Sequence, residues 1–493
     1  MEADMINLKV GSKKKHEISK YLYMQFMEPL SVTDSSVDAA WDYMDECWYP
    51  SVVEATRDLA PSMIRWGGCF ASFCHWREGV GPREQRVPMK NYAWGGLYSN
   101  QVGTNEVLDF CRQVNAEPLL VANMESEGLP YWQRPKNDTV RMGTAQEAAE
   151  WVDYCNNPDN ALRISHGVKK PYGVKYWQIG NETSYRTLSY NGHSERGFTL
   201  EGCYEATTRF AKAMRQVDDS IKIIGWGDRV NNYGGEDHHQ NWCKRMSQVE
   251  GIDMLAFHHH FGSGLDNSPL RGTQYRDDVE ETWRHLMNAY KSVGQDIERM
   301  RADCGNKRLA MTEGHFALPG RNRNEVLSSW GAGVAYARCL NVIMRNSDIL
   351  DIATMADFFG NVWQVNALMI PTPIRTGRPY LQPVGQVMRM FSRYQGKYML
   401  DLEYNGAIDA VASATDNEVY LHIANTDMKY SQELLLDLGG AKIKSGEMCY
   451  IATAPEVEIT PDNDRVFEPV TVKLEGDKVT IPPAAVAAIK LVI

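Results

Sequence analysis

The chain contains no run approaching the ~20 consecutive apolar residues that cross a bilayer, so no membrane-spanning role is expected. Its opening residues, Met1-Glu2-Ala3-Asp4-Met5, lack a basic start, an apolar core and a small-residue cleavage site, so no secretory leader is expected there. The ten cysteines include no CxxC pair and read as free thiols in a reducing cytoplasm, not as a disulfide framework. Basic charge is also short. There are 52 Lys and Arg against 63 Asp and Glu, a net charge of −11, which argues against nucleic acid or an anionic membrane as partner. The only basic cluster, Lys13 to Lys15, reads as a solvated turn. There is no repeat, low-complexity tract or long flexible linker. No phosphate-cradling glycine loop follows the first apolar run either; Glu28-Pro29-Leu30-Ser31 stands there, against a doubly wound nucleotide-binding sheet.

What is present is an ordinary globular composition, 43% hydrophobic and 23% charged, over 493 residues, enough for one large barrel or two domains. Eight short apolar runs alternate with amphipathic stretches: Leu22–Met27, Met63–Arg65, Pro118–Asn123, Val174–Ile179, Ile221–Gly225, Met254–Phe257, Arg308–Thr312 and Ile349–Met355. Continuous apolar runs of this length suit parallel strands buried on both faces. The stretches between them predict helices over Asn105–Val114 (with Thr104 as N-cap), Ala145–Cys155, Glu201–Val217, Val279–Met300 and Val326–Met344. Eight such units predict a (β/α)₈ TIM barrel over residues 18–395. After Lys397 the text changes to short alternating runs separated by Gly439-Gly440, Asp462-Asn463 and Glu475-Gly476-Asp477. Residues 396–493 therefore read as a C-terminal antiparallel β-sandwich domain, with residues 1–17 adding a strand through Ile6–Val10.

Two glutamates mark the chemistry. Glu182 follows the fourth run in Gln178-Ile179-Gly180-Asn181-Glu182, and Glu313 ends the seventh in Met311-Thr312-Glu313-Gly314-His315. Both fall at the C-terminal lip of a barrel strand, where such barrels place their chemistry, and strands four and seven face each other across the mouth. Two opposed carboxylates are the minimum equipment for hydrolysing a glycosidic bond. The expected separation is about 5 Å, the spacing for double displacement with retention. Asn181 can bond a sugar hydroxyl beside the reacting carbon.

The residues resemble glycoside hydrolase family 51, the α-L-arabinofuranosidases of clan A. The resemblance runs through Met24-Gln25-Phe26-Met27-Glu28-Pro29-Leu30 and Ile64-Arg65-Trp66-Gly67-Gly68-Cys69-Phe70-Ala71. It continues in His75-Trp76-Arg77-Glu78-Gly79-Val80-Gly81-Pro82-Arg83, Gly103-Thr104-Asn105-Glu106 and Val479-Thr480-Ile481-Pro482-Pro483. It implies Glu182 as acid/base, Glu313 as nucleophile, and Glu28, Cys69 and Asn181 as residues bonding the arabinofuranosyl ring. Arg65 matches an arginine near the nucleophile, where a guanidinium favours the ionised carboxylate. It also implies an exo-acting enzyme without cofactor, acting on an oligosaccharide, and a homo-oligomer such as a hexamer. Three departures stand out. His260 replaces a tyrosine that contacts the nucleophile, the family's nucleophile segment reads Thr312-Glu313-Gly314-His315 here, and the family's late glutamine falls near Gly360, with Gln364 a possible substitute. These changes line the pocket for the reacting sugar and leave its identity open.

Other readings are weighed beside this one. His238-His239 and His258-His259-His260 look like metal ligands, but no ordered third ligand or metal-site spacing accompanies them, so no metal is expected. On a strand, His258 and His260 share one face and His259 takes the other; the first two are expected to bond substrate hydroxyls or to hold Glu313. Cys69 and Cys74 have the wrong spacing for a redox pair. Trp66, Trp94, Trp132, Trp226 and Trp363 lie near strand ends or in loops, where core packing and sugar stacking serve equally well, and Trp66 is taken as a substrate contact. The alternatives that stay open are another clan A glycosidase (a β-xylosidase, an endo-β-glucanase or an enzyme for a different furanose), a carbohydrate-binding protein without turnover, and a metal hydrolase.

Overall fold

The architecture comes from a computed structural model, which describes residues 5–91, 93–124, 141, 143–184, 189–190, 193–194, 200–228, 241–318 and 324–493. The eight apolar runs form the eight strands of a (β/α)₈ barrel. They are β1 (Gln25–Met27), β2 (Met63–Trp66), β3 (Glu117–Ala122), β4 (Tyr176–Ile179), β5 (Lys222–Trp226), β6 (Met254–Phe261) and β7 (Arg308–Phe316), followed by a split β8 (Leu350–Ala353 and Asp357–Gly360). Each pairs in parallel with the next. The split strand closes the cylinder. Its first half pairs with β7, while its second half pairs with β1 through Asp357 and Phe26.

One register irregularity matters for the site. Along β6 and β7, Phe257 lies opposite Met311, but His258 lies opposite Glu313. Thr312 is the extra residue of a β-bulge, and bulges re-aim the side chains that follow them. Beyond it, His260 faces His315.

The helices form where their apolar faces fall at helical spacing. In the helix Thr104–Val114, Val107, Leu108, Cys111 and Val114 are all buried, as their spacing requires. Its N-cap is Gly103 and not Thr104. The Gly103 N–H donates to the Glu106 carboxylate at 2.8 Å, while the Thr104 hydroxyl accepts from the Trp151 indole. Position 103 admits no side chain, because a Cβ there would lie 2.0 Å from the Gly79 carbonyl oxygen. The stretch expected as one helix from Val279 is two, Val279–Asn288 and Tyr290–Asp303, meeting at Ala289.

The C-terminal part is a β-sandwich. A six-stranded antiparallel sheet has the order Tyr398–Leu400, Ile408–Ala414, Glu418–Asn425, Val486–Val492, Ser445–Ile451, Val470–Leu474. A four-stranded sheet packs on it, in which Ile6–Val10 pairs in parallel with Gln432–Asp437. Ile6, Leu8, Val10, Leu421, Ile423, Leu434, Leu436, Ile489 and Leu491 fill the space between the sheets. The barrel helix Trp330–Arg345 is buried against this module. The Trp330 indole donates to the Ala484 carbonyl at 2.7 Å, and Asn341 and Arg345 donate to the buried Asp409 carboxylate. The sandwich thus braces the helix that follows β7, the strand carrying Glu313.

Candidate active site

Glu182 reaches the mouth of the barrel through a strained turn. β4 ends at Ile179. Gly180 then takes φ 72°, and Glu182 itself takes φ 49°, a left-handed conformation uncommon for a residue with a side chain. Such strain persists only where the surroundings enforce it. A side chain at Gly180 would collide with Thr183, at 2.7 Å from its Cγ2, so glycine is required there. Glu313 sits within β7, just past the bulge. Carboxylate oxygens of Glu182 and Glu313 and Nδ1 of His258 all lie within 4.8 Å of one another.

His258 stands between the two carboxylates. Its Nδ1 is 2.8 Å from Glu182 Oε1 and 3.5 Å from Glu313 Oε2. Its Nε2 is 3.0 Å from the Thr312 hydroxyl, the bulge residue. The Trp226 ring packs edge-on against it at 4.6 Å. Burial drives the His258 pKa down to about 3, so the imidazole is neutral. His259 points the other way, toward Ser292 and Asp296 on the helix layer, as strand alternation requires.

Arg65, on β2, has no exposed surface and organises the other side. It donates to Glu313 Oε1 at 2.9 Å, to Asn181 Oδ1 at 2.6 Å and to Gln178 Oε1 at 3.0 Å. Its guanidinium also lies over the Phe26 ring. Burial pushes the Glu313 carboxyl above its ordinary pKa, and the adjacent guanidinium pulls it back. Glu28 is buried too and accepts from the Phe70 N–H at 2.9 Å. Burial, with Glu313 nearby, raises its pKa well above the carboxylate range. The Cys69 thiol points at Glu182 Oε2 from 3.8 Å. Gly68, at φ 114°, leaves room for Glu28; a Cβ there would lie 2.5 Å from its carboxyl carbon.

Most of the residues singled out from sequence therefore meet at one place: Glu182, Glu313, Arg65, Asn181, Cys69, Glu28, His258 and His260. His260 Nε2 is 3.7 Å from Glu313 Oε2. Trp66 does not join them. It alternates with Arg65 along β2, faces away from the barrel interior and packs edge-on against Phe70 at 5.4 Å. Gln364 accepts from Gln382 in the loop beyond β8 and has no contact with the carboxylates among those described. Gly360 has no room for a side chain at all, since a Cβ would lie 2.1 Å from Asp34 Oδ2. The β8 residue that turns toward the site is Asp357, with Oδ1 3.6 Å from His315 Nε2. Gln178 and Asp357 are not singled out in the sequence, whereas Thr312 and His315 belong to the segment Thr312-Glu313-Gly314-His315 expected to line the pocket. Gln178 was legible as a polar residue inside an otherwise apolar strand run. Trp132 and His238-His239 lie outside the described residues.

Glu182, His258 and Glu313 are the one group among the described residues with the spacing for a cation. The Arg65 guanidinium already neutralises one of these carboxylates, and His258 Nδ1 is engaged with Glu182. What the arrangement provides directly is two carboxylates in contrasting settings: one ion-paired with arginine, the other bonded to a neutral imidazole and a thiol.

Family models match twice, the alpha-L-arabinofuranosidase 1 domain over residues 55–267 and the alpha-L-arabinofuranosidase C-terminal domain over residues 316–484. The chain is 31% identical over 281 residues to an intracellular exo-alpha-(1->5)-L-arabinofuranosidase of Acetivibrio thermocellus, covering 55% of this chain and 51% of that protein. It is 26% identical over 425 residues to an intracellular exo-alpha-L-arabinofuranosidase of Bacteroides ovatus, covering 80% of this chain and 75% of that protein. It thus spans about half the length of the first relative. Among solved structures, the arabinose complex of an alpha-L-arabinofuranosidase from Thermotoga maritima shares the fold with a TM-score of 0.77 at 20% identity, covering 99% of this chain and 100% of that one. The family 51 arabinofuranosidase of Xanthomonas axonopodis pv. citri gives 0.78 at 20% identity, with 99% of each chain covered. With both parts of the chain matched by models of one family, the chain belongs to glycoside hydrolase family 51, the α-L-arabinofuranosidases.

Proposed function

We propose that this chain is a retaining exo-glycosidase that removes terminal α-L-arabinofuranosyl units from oligosaccharides in the cytoplasm. The barrel, residues 18–395, carries the reaction, and residues 396–493 with 1–17 support it. Glu313, in its ionised form paired with Arg65, attacks the anomeric carbon and forms a covalent glycosyl ester. Glu182 protonates the departing oxygen, then takes a proton from the water that releases the sugar. Neutral His258 suits both halves of this cycle. Its Nδ1 accepts from Glu182 when that carboxyl is protonated and donates to it when ionised, with Thr312 adjusting at Nε2. Glu28, Asn181 and Cys69 hold the ring hydroxyls.

The observation that carries this reading is the spacing: carboxylate oxygens of Glu182 and Glu313 lie within 4.8 Å, where retaining enzymes need roughly 5 Å and inverting ones about 6.5–9.5 Å. The names of the A. thermocellus and B. ovatus relatives support the substrate and the intracellular setting. A homo-oligomer such as a hexamer, suggested by resemblance to the family, is part of the same proposal. A panel of 4-nitrophenyl glycosides tests the function. The α-L-arabinofuranoside is cleaved fastest, with the α-anomer of arabinose appearing first by NMR. Faster cleavage of a β-xyloside, or initial release of the β-anomer, overturns it.

A further inference from the structure

Three polar groups on β6, β7 and β8 lead away from Glu313 in a row, His260, His315 and Asp357, and find little to bond among the described residues. His260 Nε2 is buried with no hydrogen-bond partner, and so is Asp357 Oδ1. His315 lies between them, its ring 4.5 Å from that of His260 and its Nε2 3.6 Å from Asp357 Oδ1, too far for a hydrogen bond. Such groups are costly to leave buried and unpaired, and hydroxyls of a bound sugar are the kind of partner that would satisfy them.

The protonation of the corner follows from its bonds. His315 Nδ1 lies 2.7 Å from the Phe316 carbonyl oxygen, which can only accept. Nδ1 therefore carries the proton, and in the neutral ring Nε2 presents a lone pair to Asp357. The neighbouring carboxyl, Asp34, accepts from the N–H groups of Asn361 at 2.7 Å and Val362 at 2.8 Å and from the Asn366 amide at 2.6 Å. Asp34 thus has the donors an ionised carboxylate needs, and Asp357 has none. The titratable groups facing Asp357 are Asp34 from the segment after β1, His315 from β7 and Tyr336 from the helix Trp330–Arg345. None brings a fixed positive charge.

Resting on the glycosidase reading above, we infer that His260, His315 and Asp357 form a hydroxyl-binding corner of the subsite for the reacting sugar, in which Asp357 is a carboxylic acid and donates to one furanose hydroxyl. His260 and Asp357 contact the sugar; His315 positions Asp357. The corner lies on the Oε2 side of Glu313, while Arg65 holds Oε1. A sugar under attack is thereby gripped from both sides, and the corner sets which furanoside is accepted. Burial and Asp34 raise the Asp357 carboxyl to about 8, consistent with a protonated group at neutral pH.

The test uses the full-length protein, 4-nitrophenyl α-L-arabinofuranoside and its three monodeoxy analogues. Asp357→Ala is expected to lower kcat/KM on the parent by about 10- to 100-fold, the loss of one hydrogen bond that leaves its partner unpaired. On one monodeoxy analogue, wild type and Asp357→Ala should be nearly equal, because the bond is already missing. Asp357→Asn keeps a donor and is expected within threefold of wild type at pH 6, but without the alkaline fall in kcat/KM that is expected of wild type near pH 8. Losses that add independently on all three analogues overturn the inference, as does an Asp357→Asn variant as impaired as Asp357→Ala. Should Asp357→Ala not fold, the Asp357→Asn profile decides alone. A wild type that cleaves no aryl glycoside at all refutes the glycosidase reading instead.

Discussion

His258 Nδ1 faces both carboxylates at once, 2.8 Å from Glu182 and 3.5 Å from Glu313. A protonated imidazole there would pair with both and remove the difference between an acid and a nucleophile. Burial prevents that by keeping the ring neutral, with a pKa of about 3. The expected NMR result is that the His258 ring shows no titration between pH 5 and 8. A protonation midpoint near 6.5 in that ring contradicts the account.

Removing Glu182 should affect substrates unequally. General acid catalysis contributes about 10²–10⁴-fold, and a leaving group that departs as a stable anion does not need it. Glu182→Ala is therefore expected to lose most of its activity on arabino-oligosaccharides and far less on a dinitrophenyl arabinofuranoside. Equal losses on both substrates count against Glu182 as the acid.

Arg65→Met removes three bonds at once and leaves Glu313 buried without its counter-charge. Breaking a buried pair by deleting one partner destabilises by about 3–5 kcal/mol. In any folded fraction, the acidic limb of kcat/KM should move to higher pH, because the group that pulled the Glu313 pKa down is gone. An unchanged acidic limb would remove Arg65 from the nucleophile's electrostatics.

Asp357 makes a separate prediction about stability. Its folded pKa, about 8, lies above the value of about 4 in an unfolded chain. Between those pH values the folded state holds a proton that the unfolded state releases, so stability falls as pH rises through that window. Asp357→Asn carries no such penalty. Its Tm should exceed that of wild type at pH 7.5, and the gain should vanish near pH 4. A difference in Tm that is independent of pH refutes a protonated Asp357.

Much of this was legible in the sequence because parallel barrel strands are buried on both faces and so read as uninterrupted apolar runs. All eight were located that way, and the two glutamates stood out as polar breaks at strand ends. The sandwich strand Val486–Val492 is not marked by alternation, for a related reason. It is an interior strand of its sheet, pairing with Glu418–Asn425 and Ser445–Ile451, and its buried run of alanines and aliphatics has no alternation to mark it. The bulge at Thr312 was invisible because it depends on the register against β6, a relation between distant segments. That shift decides which residues face His258 and His260. The same holds for Asp357. The closure of a split β8 onto β1 brings it beside His315, while Gln364, a possible substitute for the family's glutamine, bonds Gln382 instead. Trp66 failed on strand parity: one position from an inward-facing arginine, it faces out.

The most direct test of the central claim is to trap the intermediate. Glu182→Ala, mixed with a dinitrophenyl arabinofuranoside, should form the glycosyl ester and hydrolyse it slowly for want of a base. Mass spectrometry of a digest is then expected to find one pentosyl unit on the peptide carrying Glu313. A label on any other residue, or turnover with no label and inverted product, contradicts the account.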